Sequence, residues 1–189
     1  MEPSVGTALV FRPFLPSDKE DVISVWRDGR ESLYLAGIDQ WQKGDYPGER
    51  EFLSDKESGE GVAVVLKGKI VAAFAISPRE EEDYSLPCLK WKGTDYLSIH
   101  RSAVLRSHRG QGIMGEIISY AQEKALSMGK DSIRVDTHGD NKAMQSALGK
   151  AGFEIVGRFL LSYGPEKGDQ RIAMEKVLSL SLSDKKKSL

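Results

Sequence analysis

A single cysteine, Cys88, excludes an intramolecular disulfide, and the opening Met1-Glu2-Pro3-Ser4 lacks the basic and apolar segments of a signal peptide. Both point to a reducing cytoplasm as the expected location. No apolar run approaches the ~20 residues that cross a bilayer, so no membrane association is expected. Charge of one sign is also missing. The 27 basic residues face 28 acidic ones, for a formal net charge of -1, and this removes the global field that would draw the chain to nucleic acid or an anionic lipid surface. Any basic site must be local. There are no internal repeats, and 189 residues with 40% hydrophobic content can bury one sizeable core. The expectation is one domain over residues 1–178, then a frayed basic tail over residues 179–189, where Ser and Leu alternate before Lys185-Lys186-Lys187.

What is present is a succession of short elements. Leu9, Val10, Phe11 and Phe14 form a strand pattern that Pro13 and Pro16 interrupt. Lys19 to about Leu35 carries apolar residues among charges at helical spacing, capped by Ser17 or Asp18 and read as one or two helices with Gly29 as a break. The loop that follows is rich in aromatics, and such loops often line sites. Trp41 and Tyr46 are therefore candidate substrate contacts, the alternative being that they pin the loop to the core. Glu49 to Glu57 reads as a short helix, and Val62–Leu66 and Ile70–Ile76 as a hairpin turned by Lys67-Gly68-Lys69. The acidic run Glu80-Glu81-Glu82-Asp83 could attract a cation but reads first as a solvated loop.

The stretch from Tyr96 to Phe153 organises the rest. A strand from Tyr96 to Leu105 enters the turn Arg106-Ser107-His108-Arg109-Gly110-Gln111-Gly112-Ile113-Met114-Gly115, and a helix leaves it, ending near Gly129. Ser132 to Thr137 is a further strand, Asn141 to about Ala151 a helix capped by Asp140, and Phe153–Tyr163 and Gln170–Val177 are two strands expected to pair.

A basic, glycine-rich turn at the head of a helix is a phosphate cradle in outline. A nucleotide-binding Walker loop would need Lys and then Ser or Thr after Gly115, where Glu116 and Ile117 stand. The spacing Gly110-x-Gly112-x-x-Gly115, with Asp136 downstream, also fits a nicotinamide-dinucleotide fingerprint, though a hairpin-rich region precedes the turn instead of following it. The third reading is a diphosphate loop for coenzyme A. In it the backbone N–H groups of Gly110, Gln111, Gly112, Met114 and Gly115 face the anion, with Arg106 and Arg109 at the rim.

The run Val104 to Gly115, the later Asn141 and the pair Gly152-Phe153 resemble the core of the GNAT superfamily of N-acetyltransferases. The resemblance extends to a small group within it through Gln40-Trp41, Tyr46-Pro47, His100-Arg101, Asp136-Thr137-His138 with Asp140-Asn141, and Arg171-Ile172-Ala173. It implies a single α/β domain with a mixed, mostly antiparallel sheet flanked by helices, its two central parallel strands splayed to admit pantetheine. It also implies acetyl-CoA as co-substrate, no metal, and a small-molecule or peptide amine as acceptor, and it leaves room for a homodimer. Ser107 stands where the family has a basic residue or glutamine, Met114 precedes Gly115 where many members have glycine directly, and Leu148 takes the place of the helix tyrosine that often serves as general acid.

A primary alkylamine titrates near 10.4, so only on the order of one molecule in a thousand is a neutral nucleophile at pH 7. The proton needs an exit. His100, on the central strand with Ser98, Ser102 and Val104 at the same parity, is the first candidate base, the face being one where related enzymes can carry a carboxylate at the position of Ser98. His138 and Tyr163 are further catalytic candidates. The resemblance assigns the oxyanion to backbone N–H near Ala103 or Val104, and pantetheine to Asn141. A CoA-binding module without turnover remains as an alternative.

Overall fold

The computed structural model describes residues 8–178, and the tail at residues 179–189 lies outside the described residues. In chain order the elements are β1 (Val10–Pro13), α1 (Lys19–Leu35), α2 (Glu49–Ser58), β2 (Gly61–Leu66), β3 (Lys69–Ser77), β4 (Tyr96–Val104), α3 (Ile113–Ser127), β5 (Ser132–His138), α4 (Lys142–Lys150), β6 (Glu154–Leu160) and β7 (Gln170–Val177). The strands hydrogen-bond in the order β1-β2-β3-β4-β5-β7-β6. The pairs β1–β2, β2–β3, β5–β7 and β6–β7 are antiparallel, and β4–β5 is parallel. This is the mixed, mostly antiparallel α/β sheet the sequence predicts. A doubly wound dinucleotide fold would need mostly parallel strands.

The chain divides into two compact units, one running to Ile76 and including His100–Met114, the other made of Ser77–Ile99 and the chain from Gly115. In the first unit, Phe14, Val22, Trp26, Trp41, Phe52 and Ala103 belong to one buried cluster. Phe14 stacks on Phe52 at 5.2 Å between ring centroids and meets Trp26 edge-on at 6.2 Å. Gly29 does not break α1. It is buried in a continuous helix, and a Cβ there would stand 3.2 Å from the Trp41 ring and 3.3 Å from the Ala103 Cβ. Glycine is needed for close approach of the loop aromatic, a contact no local pattern shows. The helix ends through Gly37 at φ 71, with the Gly37 N–H donating to Tyr34 and the Ile38 N–H to Leu33.

Gly61 is similarly tight. A Cβ there would fall 2.2 Å from Cδ2 of buried Phe14. Gly61→Ala is therefore expected to cost about 1–3 kcal/mol through overpacking, read as a Tm lowered by about 2–4 °C per kcal/mol in thermal denaturation.

In the second unit, β7 lies between β5 and β6, registered to β5 from Ser132↔Val177 to His138↔Arg171. Tyr84, Leu89, Tyr96, Val156, Phe159 and Ala173 form its buried cluster. The Arg134 guanidinium lies 4.2 Å from the Trp91 ring centroid and 3.9 Å from that of Tyr96, with the buried carboxylate of Glu175 3.5 Å away. The charge is held between two aromatic faces. The cap of α4 is Asn141, whose Oδ1 accepts from the Met144 N–H at 3.2 Å, and not Asp140. The helix starts one residue later than its apolar pattern shows, which moves the cap with it. The acidic run is not a plain solvated loop either: Asp83 and Tyr84 within or beside it are both 3% exposed.

Candidate functional site

In the first unit, the candidate residues rest on an irregular strand. Arg101, in the middle of β4, takes φ 49, a left-handed conformation that a side chain bearing a Cβ rarely adopts. It is held from three sides. The Trp26 Nε1–H donates to the Arg101 carbonyl at 2.9 Å, the guanidinium makes a two-pronged bond to Asp55 at 3.0 and 2.6 Å, and Tyr46 hydrogen-bonds the same guanidinium. Burial raises the Asp55 carboxyl above its ordinary range, and the charges of Arg101 and then His100 pull the other way. The left-handed residue also breaks the pleat, so the alternation that groups His100 with Ser102 and Val104 does not carry past Arg101. Ala103 and Val104 follow as buried residues. Trp41, 7% exposed, anchors its loop in the core, with Tyr46 packed against the same cluster.

Beyond β4, Gly110 and Gly112 take φ 74 and φ 81 immediately before α3 begins at Ile113. Left-handed residues in such a turn aim backbone N–H groups into a concavity, and the first turn of a helix adds N–H groups that have no partner within the helix. A Cβ built at Gly110, Gly112 or Gly115 meets nothing within 4 Å. The space these glycines face is open, as a diphosphate would require. Arg106 and Arg109 are tied to α1. The Arg106 N–H donates to Asp28 at 2.7 Å and its guanidinium to Glu31 at 3.0 Å, while Arg109 donates to Asp28 at 3.2 Å and to the Val104 carbonyl at 2.9 Å. Gln111 Nε2 donates to the Ser107 carbonyl at 3.3 Å, and His108 Nδ1 lies 2.9 Å from the Ser107 hydroxyl. A cleft of about 380 Å³ adjoins the turn, lined by Leu66, Lys67, Lys69, Val71, His108 and Gln111.

In the second unit, the candidate residues gather around Ser98. The parallel register between β4 and β5 runs from Tyr96↔Ser132 to Ser98↔Arg134, which places Ser98 at its carboxyl end. Ser98 is 0% exposed. Its hydroxyl lies 2.8 Å from Glu81 Oε1 and 3.2 Å from the Ser77 carbonyl. The Glu81 N–H donates to the Tyr96 hydroxyl at 2.8 Å, and the Tyr163 hydroxyl reaches Glu81 Oε2 at 3.5 Å. Tyr163 is 48% exposed as a residue. Desolvation at its hydroxyl, then the charges of Glu81, Asp83 and Asp136, push the phenol up to about 12, so it remains a neutral hydrogen-bond donor at any physiological pH. Tyr84 donates to Asp136 at 2.8 Å, and its phenol is pushed up in the same way, burial being the larger cause.

His138, at the end of β5, accepts the Asp140 N–H at Nδ1, 3.1 Å away. That bond places the ring proton of the neutral form on Nε2, and the histidine shapes the loop into α4. Leu148, which the sequence resemblance sets in place of a helix tyrosine, is 2% exposed.

The chain as a whole has relatives among known proteins. A model of the acetyltransferase (GNAT) family matches residues 24–153. The chain belongs to this family. Among curated proteins, a streptothricin acetyltransferase of Escherichia coli is 27% identical over 117 residues, which is 62% of this chain and 62% of that relative's own length. A GNAT-family acetyltransferase from Streptococcus agalactiae superposes with a TM-score of 0.74 at 25% identity, covering 90% of this chain and 96% of that one. A second, from Listeria monocytogenes, gives 0.66 at 19% identity over 90% and 95%. For this GNAT chain, the sequence shows the glycine turn but gives no part to Asp28 or Asp55 and sets Glu81 in a solvated acidic run, because the partners of all three lie far along the chain. The hint for Glu81 was available in the polar Ser98 on a strand otherwise apolar at its start.

Proposed function

We propose that the protein transfers the acetyl group of acetyl-CoA to a primary amine, of a small molecule or an amino terminus, by direct attack of the amine. The supporting observation is the pair of left-handed glycines at the head of α3, facing open space in a GNAT chain. In this reading the N–H groups of Gly110, Gln111, Gly112, Met114 and Gly115 hold the diphosphate, Arg106 and Arg109 fix the turn that presents them, and Asn141 offers its amide to pantetheine. Backbone N–H near Ala103 and Val104 serves the carbonyl oxygen, on a strand whose course Arg101 sets. Coenzyme A supplies an activated thioester, and the chain's own residues position it and manage the proton. Tyr163 donates a hydrogen bond, while His100 precedes Arg101 on β4 and acts electrostatically on Asp55 of α2.

The likeness to a streptothricin acetyltransferase makes streptothricin the first acceptor to test. Purified protein is expected to bind acetyl-CoA by calorimetry and to release free thiol when streptothricin or another primary amine is added. Binding of acetyl-CoA without thiol release across a broad amine panel would leave only a CoA-binding module.

A further inference from the structure

The acidic stretch after β3 carries a carboxylate that the expected histidines do not replace. Glu81 has the features of a placed functional group. One oxygen is fixed by the hydroxyl of a fully buried serine at 2.8 Å, the other faces the Tyr163 hydroxyl at 3.5 Å, and its own backbone N–H is anchored on the Tyr96 hydroxyl. Its partner Ser98 stands at the carboxyl end of the β4–β5 register, and ligands of open sheets bind outside the carboxyl ends of parallel strands. A carboxylate held this way has a defined direction, while the glutamate itself remains partly open to solvent. His138 has Nδ1 engaged by Asp140.

We propose that Glu81 is the proton acceptor of the acetyl transfer, brought to the end of the parallel pair by the loop after β3 and oriented there by Ser98. The proposal rests on the acetyltransferase reading. The acceptor arrives as an ammonium ion, which the carboxylate attracts. Glu81 takes one proton from nitrogen, and the freed lone pair forms the N–C bond to the thioester carbon. The C–S bond then breaks with its electron pair on sulfur, and the second nitrogen proton leaves for the thiolate. The products are an amide, a thiol and one proton, which Glu81 passes to solvent. Tyr163, held as a phenol, steadies the carboxylate without competing for the proton. The titratable groups that meet the Glu81 charge are Tyr84, Tyr96 and Tyr163, and Glu80, Asp83, Asp136 and Arg134 act on the same phenols, with Arg171 paired to Asp136 at 3.5 Å. Ser98 is a positioning residue.

The test compares wild type, Glu81→Gln, Glu81→Asp and Ser98→Ala in thiol release from acetyl-CoA with streptothricin and with n-butylamine, across pH. Glu81→Gln is expected to lower kcat about 100-fold or more, the range of a lost general base, with acetyl-CoA affinity unchanged and the rise of kcat/KM with pH displaced. Glu81→Asp should keep the shape of that profile at reduced kcat. Ser98→Ala should lower kcat about tenfold and move the profile, which a purely structural serine would not. Turnover by Glu81→Gln within about threefold of wild type, with the same pH profile, overturns the role of Glu81 alone. No thiol release by the wild type with any amine overturns the acetyltransferase reading, and Glu81's role with it.

Discussion

Replacing Gly112 by aspartate is expected to weaken acetyl-CoA binding on the order of a thousandfold while the protein stays folded. Two effects combine. Gly112 sits at φ 81, and a residue with a Cβ in the left-handed region is strained by roughly 1–2 kcal/mol. That strain falls on the turn, since an added Cβ meets no atom of the protein within 4 Å. The larger effect is electrostatic. A carboxylate within about 4 Å of a phosphate repels it by about 4 kcal/mol at the effective dielectric of a protein surface, and 1.4 kcal/mol is tenfold in affinity. Calorimetry of acetyl-CoA binding checks the result. Gly115→Ala is the control. It is the third residue of α3 and also faces open space, so the fold should tolerate it and any loss of affinity reports how closely the ligand approaches. If Gly112→Asp binds acetyl-CoA as wild type does, the turn is not the diphosphate site.

The second large effect is on stability. Asp55→Ala is expected to destabilise the protein by about 3–5 kcal/mol, the usual consequence of stranding one member of a buried ion pair. That is a Tm lower by on the order of 10 °C. The Asp55 side chain is 3% exposed and that of Arg101 18%, so solvent offers the abandoned guanidinium little. The double replacement Asp55→Ala, Arg101→Met should recover much of the loss, because no buried charge then remains unpaired. It should not restore turnover, since the left-handed bend at Arg101 would lose its tether.

The pH response separates this pair from another. Asp55 has its folded-state carboxyl raised, burial outweighing Arg101. Its ionisation therefore opposes folding, and the stability tied to its proton is present at low pH and lost as pH rises through the folded value. Asp18 has the opposite sign. The hydrogen bond from Arg12 lowers it, so its stabilisation is present above the ordinary carboxylate value and fades as pH falls through the folded one.

The strands, the hairpin turn and the helix after the glycine turn are legible in the sequence because each is a local pattern of period two or 3.6. The glycine turn alone is not decisive. Its spacing fits a nicotinamide fingerprint, and the coenzyme A reading proposed for it leans on the strand order and the family match. What stays hidden depends on contacts between distant residues. Gly29 looks like a helix break because Trp41, its reason for being glycine, arrives from a loop. Glu81 looks like one charge in a solvated run because Ser98 is 17 residues away in the chain. Asp55 looks like a surface residue of a short helix until it is seen to meet Arg101, 46 residues on. His138 and Asn141 have the right residue types, yet their loop bonds emerge only from the geometry of the entry into α4.

Asp28 has a kinetic consequence. Arg106 and Arg109, the positive charges of the glycine turn, are matched by Asp28 and Glu31 on α1, so this patch of two cations and two anions projects almost no long-range field. Electrostatic steering needs unbalanced charge. On the proposed reading, the turn holds its anion at contact distance through backbone dipoles, which fall away within a turn of helix. Encounter with acetyl-CoA should therefore gain little from these arginines at low ionic strength, and any acceleration belongs to Lys67 and Lys69 of the adjoining cleft. If acetyl-CoA is the donor, discrimination for it then lies in how long it stays at the turn more than in how the arginines draw it in.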